Sequence, residues 1–151
     1  FGDWCANFDA VARRSERSAL GRPLFELLRP EPSDLSILKP RNSGFYGTPL
    51  EFLLDELRVN HLILTGLQTH ICVLFTAHDA YLRRYGLWVP DDCVASEHAG
   101  QHSTALMHLA EVAGAKTQPA SGTSGSLADL CASTGSHAAK RGSLRAVAPL
   151  E

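Results

Sequence analysis

Hydrophobic positions along this chain come in short runs, cut by prolines, glycines and acidic pairs. Residues 35–39 (LSILK), 61–66 (HLILTG) and 87–89 (LWV) are apolar stretches of strand length, closed by Pro40, Gly66 and Pro90. Between them the period becomes helical. Leu50, Leu53, Leu54 and Leu57 form a stripe behind Thr48-Pro49-Leu50-Glu51, a capping-box pattern with proline at the first helical position, which predicts a helix over 49–57. Ile71, Leu74, Phe75, His78, Tyr81, Leu82 and Tyr85 predict a second helix over 70–85, stopped by Gly86, with its stripe centred on Leu74, His78 and Leu82. Ala105, Leu106, Leu109 and Val112 predict a third, over 98–113. Residues 1–34 are irregular, broken by Pro23, Pro30 and Pro32, with room for a short helix in LFELL at 24–28.

Alternating strands and helices predict an α/β domain with a mainly parallel sheet. From 119 onward the composition shifts to Ser, Gly, Ala and Thr. The domain is therefore expected to span 1–118, and 119–151 to form a disordered or loosely attached tail, in which LADLC at 127–131 can make one helical turn.

Composition narrows the partners. With 151 residues, 44% apolar and 20% charged, the chain suits one globular domain. A net charge of -2 gives no reason to expect nucleic acid or an acidic membrane, and no apolar run is long enough to span a bilayer. The chain opens FGDWCANFDA, without a basic start or an apolar leader, and begins with Phe, which reads as a fragment or a processed chain. Cys5, Cys72, Cys93 and Cys131 make no C-x-x-C pair, and no histidine stands at zinc-site spacing. A reducing, cytoplasmic setting is expected, with no structural zinc and no cofactor.

Cys72 carries the clearest chemistry. Thr69 suits an N-cap, which puts Cys72 at the third helical position. Its amide is then one of the first-turn donors, and the positive end of the helix favours an anionic sulfur. A thiolate beside free amides is the minimum kit for acyl transfer. The plain alternative is a small core residue, since cysteine is often buried. Against that, Cys72 lies about 120° from the expected stripe, on the flank of Thr76, Asp79 and Arg83, where ligands bind in open parallel sheets. Lys39 ends the first expected strand, as Gly66 ends the second, so parallel strands would bring Lys39 and Cys72 to one sheet edge. A solvated strand-end lysine is the alternative there.

The remaining candidates are weaker. His70 is a conceivable base but can point to solvent; His61, His78, His98, His102, His108 and His137 form no ligand set. Asp91-Asp92 reads as a turn, Asp79 with Arg83 as an i,i+4 pair, and Trp4 and Phe8 as core before pocket wall.

KPRNSGFYGTPLEFLL (39–54) followed by LILTGLQTHICVLFTAHDAY (62–81) resembles the isochorismatase-like cysteine hydrolases. Lys39, the run Ser43 to Thr48, the run Gly66 to Cys72 and the run Thr76 to Ala80 match the family's motifs in order and spacing, and the likeness covers roughly 1–118. It implies a three-layer α/β/α fold and hydrolysis of a small amide or carbamoyl C–N bond, or of a vinyl ether in the isochorismatases. It implies Cys72 as nucleophile and Lys39 as the triad lysine. It further implies a cis peptide at Leu67–Gln68 and an oxyanion hole from the Gln68 and Cys72 amides. Phe45, Tyr46 and Trp4 are the expected pocket wall.

The family's triad aspartate belongs to an earlier strand, and Asp3, Asp9 and Asp34 do not sit in that motif. The metal site of nicotinamidases also uses upstream residues, so none is expected within this chain. Two functions follow: a hydrolase acting on a small molecule, with a homo-oligomer expected by analogy alone, or an inactive homologue that serves as a binding or oligomerising subunit. A redox role is weaker, because Cys72 has no obvious resolving partner.

Overall fold

A computed structural model of the chain describes residues 21–27, 29 and 31–121. The chain divides into two compact units, 1–36 and 37–151. In the first, α1 (Gly21–Leu27) covers much of the expected LFELL helix. The turn after it is tied by the Glu31 amide donating to the Asp34 carboxylate at 2.8 Å. Trp4, Phe8, Cys5, Cys131 and the 127–131 cluster lie outside the described residues.

The second unit has α2 (Leu50–Glu56), β1 (His61–Ile63), β2 (Gly66–Leu67), α3 (Leu74–Leu82), β3 (Gly86–Trp88), β4 (Val94–Ala95) and α4 (Ala99–Ala113). A π-turn, Thr69–Val73, leads into α3, and a 3₁₀ turn, Asp91–Cys93, leads into β4. Strand pairing is parallel: β1 with β3 in the register His61↔Gly86, and β2 with β4 in the register Gly66↔Val94. On its other side β3 meets 116–117, through the Trp88↔Lys116 bridge and the Val89 amide donating to the Lys116 carbonyl at 2.8 Å. With neighbours on both edges, β3 is fully buried, which is why LWV reads as a continuous apolar run.

The expected strand at 35–39 is not formed. Residues 34–39 are irregular, and Leu35 and Leu38 are exposed. A strand exists only by pairing, and among the described residues none pairs with this segment. The 61–66 run is split instead of continuous, since β1 ends at Ile63 and β2 begins at Gly66, a residue at φ +105°.

The face that α3 turns inward differs in part from the one expected. Leu74 and Tyr81 pack against the core, but Ala77 and Ala80, with Val73 just before the helix, are the buried residues, whereas Leu82 is 74% exposed and Phe75 53%. Alanines at spacing i, i+3 let the helix approach the sheet closely, a gain that counting large apolar residues overlooks. The helix also stops earlier: Arg84, not Gly86, takes the left-handed conformation (φ +65°), and the Tyr85 amide returns to the Ala80 carbonyl at 3.0 Å. Gly86 instead opens β3. On α4, Ala105 and Leu109 are buried as expected, joined by Ala113 in place of the half-exposed Val112.

The core joins these faces to Leu87, Val89, Val94 and Phe45. Phe45 stacks near Tyr85 at 5.9 Å between centroids, with the Arg83 guanidinium 4.8 Å above its ring. Arg83 also pairs with Asp79 at 2.9 Å and with Glu51 of α2 at 2.8 Å. The expected capping box is not made: Pro49, and not Thr48, holds the capping position of α2. Thr48 Oγ1 accepts the Leu50 amide at 3.2 Å, the Thr48 amide donates to the Phe45 carbonyl at 3.3 Å, and Glu51 pairs with Arg83.

Candidate active site

The π-turn places Cys72 directly after β2. The Gln68 carbonyl accepts the amides of Ile71 at 3.1 Å and Val73 at 3.2 Å; among the described residues no acceptor outside the turn takes the Cys72 amide. Thr69 is not the cap. It is fully buried, and its hydroxyl bonds His102 Nδ1 of α4 at 3.0 Å, while Gln68 holds the capping position with extended backbone. His70 is turned to Ser96, whose hydroxyl meets the ring Nδ1 at 2.9 Å and accepts the His70 amide at 3.4 Å. Two side-chain contacts, one to α4 and one to the residue after β4, thus fix the start of the turn from one side. The Leu67–Gln68 peptide bond is cis.

The opposite side is formed by the loop 39–48. Lys39 Nζ stands 3.3 Å from Cys72 Sγ, and the same ammonium donates to the Arg41 carbonyl at 3.1 Å. Cys72 is half-buried and Lys39 exposed, so the sulfur faces a solvent-accessible ammonium and not packed hydrocarbon. Further along the loop, the Gly44 amide donates to Thr76 Oγ1 at 2.9 Å, and that hydroxyl donates to the Cys72 carbonyl at 2.7 Å.

Of the residues expected to wall a pocket, Phe45 is a core residue, only 5% exposed. Its ring packs on Tyr85 and Arg83, so it shapes the loop from beneath. Tyr46 beside it is 65% exposed. Trp4 lies outside the described residues. A separate open groove of about 450 Å³ runs between the turn and α4, lined by His70, Leu74, Gln101, Thr104, Ala105 and His108.

Sequence reasoning missed Ser96, His102 and the hydroxyl of Thr76. Ser96 is 26 residues from His70, and nothing in the chain's pattern links them. Thr76 stands four residues after Cys72, a spacing that does place a hydroxyl over that carbonyl. Among the described residues no three or more His, Cys, Asp or Glu side chains gather as a metal-binding set, and no ligand role is assigned to any of them.

Asp92, expected in a turn, lies in the middle of the 3₁₀ turn and accepts the amides of Ala120 at 2.7 Å and Ser121 at 2.8 Å. The Ser121 hydroxyl and these amides hold its carboxyl well below the usual carboxylate range. Next to it, burial and then the Asp92 carboxylate push the Cys93 thiol up.

Comparison with known proteins bears on these features together. The Isochorismatase domain model matches residues 6–120. The chain belongs to the isochorismatase family. An isochorismatase family protein of Bacillus subtilis, YaaI, is 39% identical over 114 residues, covering 74% of this chain and 61% of its own length. The chain thus spans about three fifths of that relative. Among solved structures, a nicotinamidase from Staphylococcus aureus is similar at 38% identity and a TM-score of 0.59, over 67% of this chain and 63% of that one. An N-carbamoylsarcosine amidase from Thermoplasma acidophilum is similar at 33% identity and a TM-score of 0.57, over 64% and 54%. The isochorismatase-like α/β fold, with its parallel strands flanked by helices, is therefore the fold of this chain. No helix among the described residues is long and apolar enough to cross a membrane.

Proposed function

We propose that the whole protein is a cysteine hydrolase that cleaves a C–N bond of a small amide or carbamoyl compound in a reducing, cytoplasmic setting. The observation that carries this is the 3.3 Å approach of Lys39 Nζ to Cys72 Sγ, across 33 residues of sequence. The family relationship and the similar nicotinamidase and N-carbamoylsarcosine amidase support the bond class.

In this proposal the Cys72 sulfur attacks the substrate carbonyl, and the Gln68 and Cys72 amides donate to the oxygen that becomes negative. Collapse of the tetrahedral adduct breaks the C–N bond. Ammonia or an amine leaves with a proton, for which the Lys39 ammonium is the nearest donor to the sulfur. The acyl group stays on Cys72 as a thioester, and water then attacks it to release the acid and restore the thiol. Tyr46, exposed on the loop beside this site, is the proposed aromatic contact for a small-molecule substrate.

Peptide-resolved mass spectrometry after exposure to a small electrophilic amide analogue tests the proposal. An adduct on Cys72, absent after Cys72→Ala, is expected. Equal labelling of Cys5, Cys72, Cys93 and Cys131 would overturn it and favour an inactive binding or oligomerising subunit.

A further inference from the structure

We infer that Thr76 is a positioning residue, whose hydroxyl sets the distance between the Lys39 ammonium and the Cys72 sulfur; this rests on the reading of Cys72 as nucleophile. A threonine that bonds the carbonyl four residues back in a helix is ordinary by itself. Here the same oxygen has a second partner on another segment: it accepts the Gly44 amide at 2.9 Å while donating to the Cys72 carbonyl at 2.7 Å. An amide can only donate, so the hydroxyl proton is committed to Cys72, and the oxygen is a bridge with one direction.

Gly44 belongs to the loop that begins at Lys39. That loop behaves as one body. The Gly44 carbonyl accepts the Thr48 hydroxyl, and Thr48 accepts the Leu50 amide at 3.2 Å, which ties the loop to the start of α2. Ser43 Oγ accepts the Phe45 amide at 3.1 Å, and Phe45 is sunk in the core. The Lys39 ammonium is tied into the same loop through the Arg41 carbonyl at 3.1 Å. A lysine side chain is long and has much rotamer freedom, so contact with a half-buried sulfur depends on where its backbone is held. The Gly44–Thr76 bond holds it one helical turn from Cys72. Position 44 packs closely there: a Cβ would meet Leu50 Cδ2 at 3.3 Å and Thr76 Cγ2 at 3.4 Å. Thr76 itself touches neither sulfur nor substrate in this scheme.

The test is the rate of Cys72 alkylation by iodoacetamide at neutral pH, read peptide by peptide on the full chain. Lys39→Met should slow Cys72 about tenfold, the scale of one nearby charge. Thr76→Val, of similar shape but without the hydroxyl, should reproduce much of that loss; Thr76→Ser should match the unaltered chain. The double variant Lys39→Met/Thr76→Val should be no slower than Lys39→Met alone, because Thr76 acts through Lys39. A Thr76→Val rate equal to that of the unaltered chain, or losses that add in the double variant, overturns the inference. If Thr76→Val does not fold, Thr76→Ala serves: it too removes the hydroxyl, and an unchanged rate overturns the inference equally. Failure of the hydrolase reading is distinguishable, since Cys72 would then show no preference over Cys93 in the unaltered chain.

Discussion

Gly44 and Thr76 lie 32 residues apart in sequence, yet the amide of one donates to the hydroxyl of the other at 2.9 Å. The contact is tight as well as polar. A Cβ on Gly44 would sit 3.3 Å from Leu50 Cδ2 and 3.4 Å from Thr76 Cγ2. Gly44→Val is therefore expected to destabilise the chain by about 1–3 kcal/mol, the usual cost of overpacking, with Gly44→Ala costing less. Urea unfolding checks this: the midpoint should fall while the slope stays constant. A Gly44→Val midpoint equal to that of the unaltered chain would show that the loop gives way freely.

The two described cysteines should differ in reactivity. Cys93 has its thiol pushed up by burial and by Asp92, whereas Cys72 faces an ammonium at 3.3 Å. At neutral pH iodoacetamide should modify Cys72 roughly tenfold faster than Cys93. Asp92→Asn should speed Cys93 and leave Cys72 unchanged. Peptide mapping of a time course reads both rates.

Asp92 also sets an acid limit on the segment after β3. Its carboxylate holds the amides of Ala120 and Ser121, and its folded value lies below the unfolded one. Such a group stabilises the fold above the unfolded pKa, near 3.9, and that contribution fades as pH falls toward the folded value. Asparagine would turn an NH₂ toward one of these amides. Asp92→Asn should hence speed hydrogen exchange at Ala120 and Ser121 at neutral pH, and flatten the acid limb of stability below about pH 4. Unchanged exchange at both amides would contradict this.

His78 acts in a milder range. Burial, then the neighbouring His108 ring 5.0 Å away, lower its value, and Asp79 opposes them. The unfolded chain then takes up the proton first as pH drops. Stability from this group is complete above about pH 6.5 and is lost as pH falls through the lower folded value. Melting temperature should decline on acidification from about pH 7.5 to 5.5, and His78→Gln should make that decline shallower. An identical slope in the variant would remove His78 as a cause.

Local pattern determined much of this protein. Helices α2, α3 and α4, the buried strand β3, the parallel α/β class and the motifs around Lys39 and Cys72 are all legible along the chain, because each depends on residues close in sequence or on a strong period. What distance along the chain conceals is pairing. LSILK has strand composition but no described partner, and stays irregular. Helix α3 buries Ala77 and Ala80 and leaves Leu82 out, because the choice of face belongs to the surface it meets. Phe45 went to the core, Thr69 to His102, and the Thr76 hydroxyl to Gly44. Those decisions belong to the tertiary structure: a side chain's partner is fixed by the energy of filling space and satisfying polar groups across elements, and no spacing along one element encodes it.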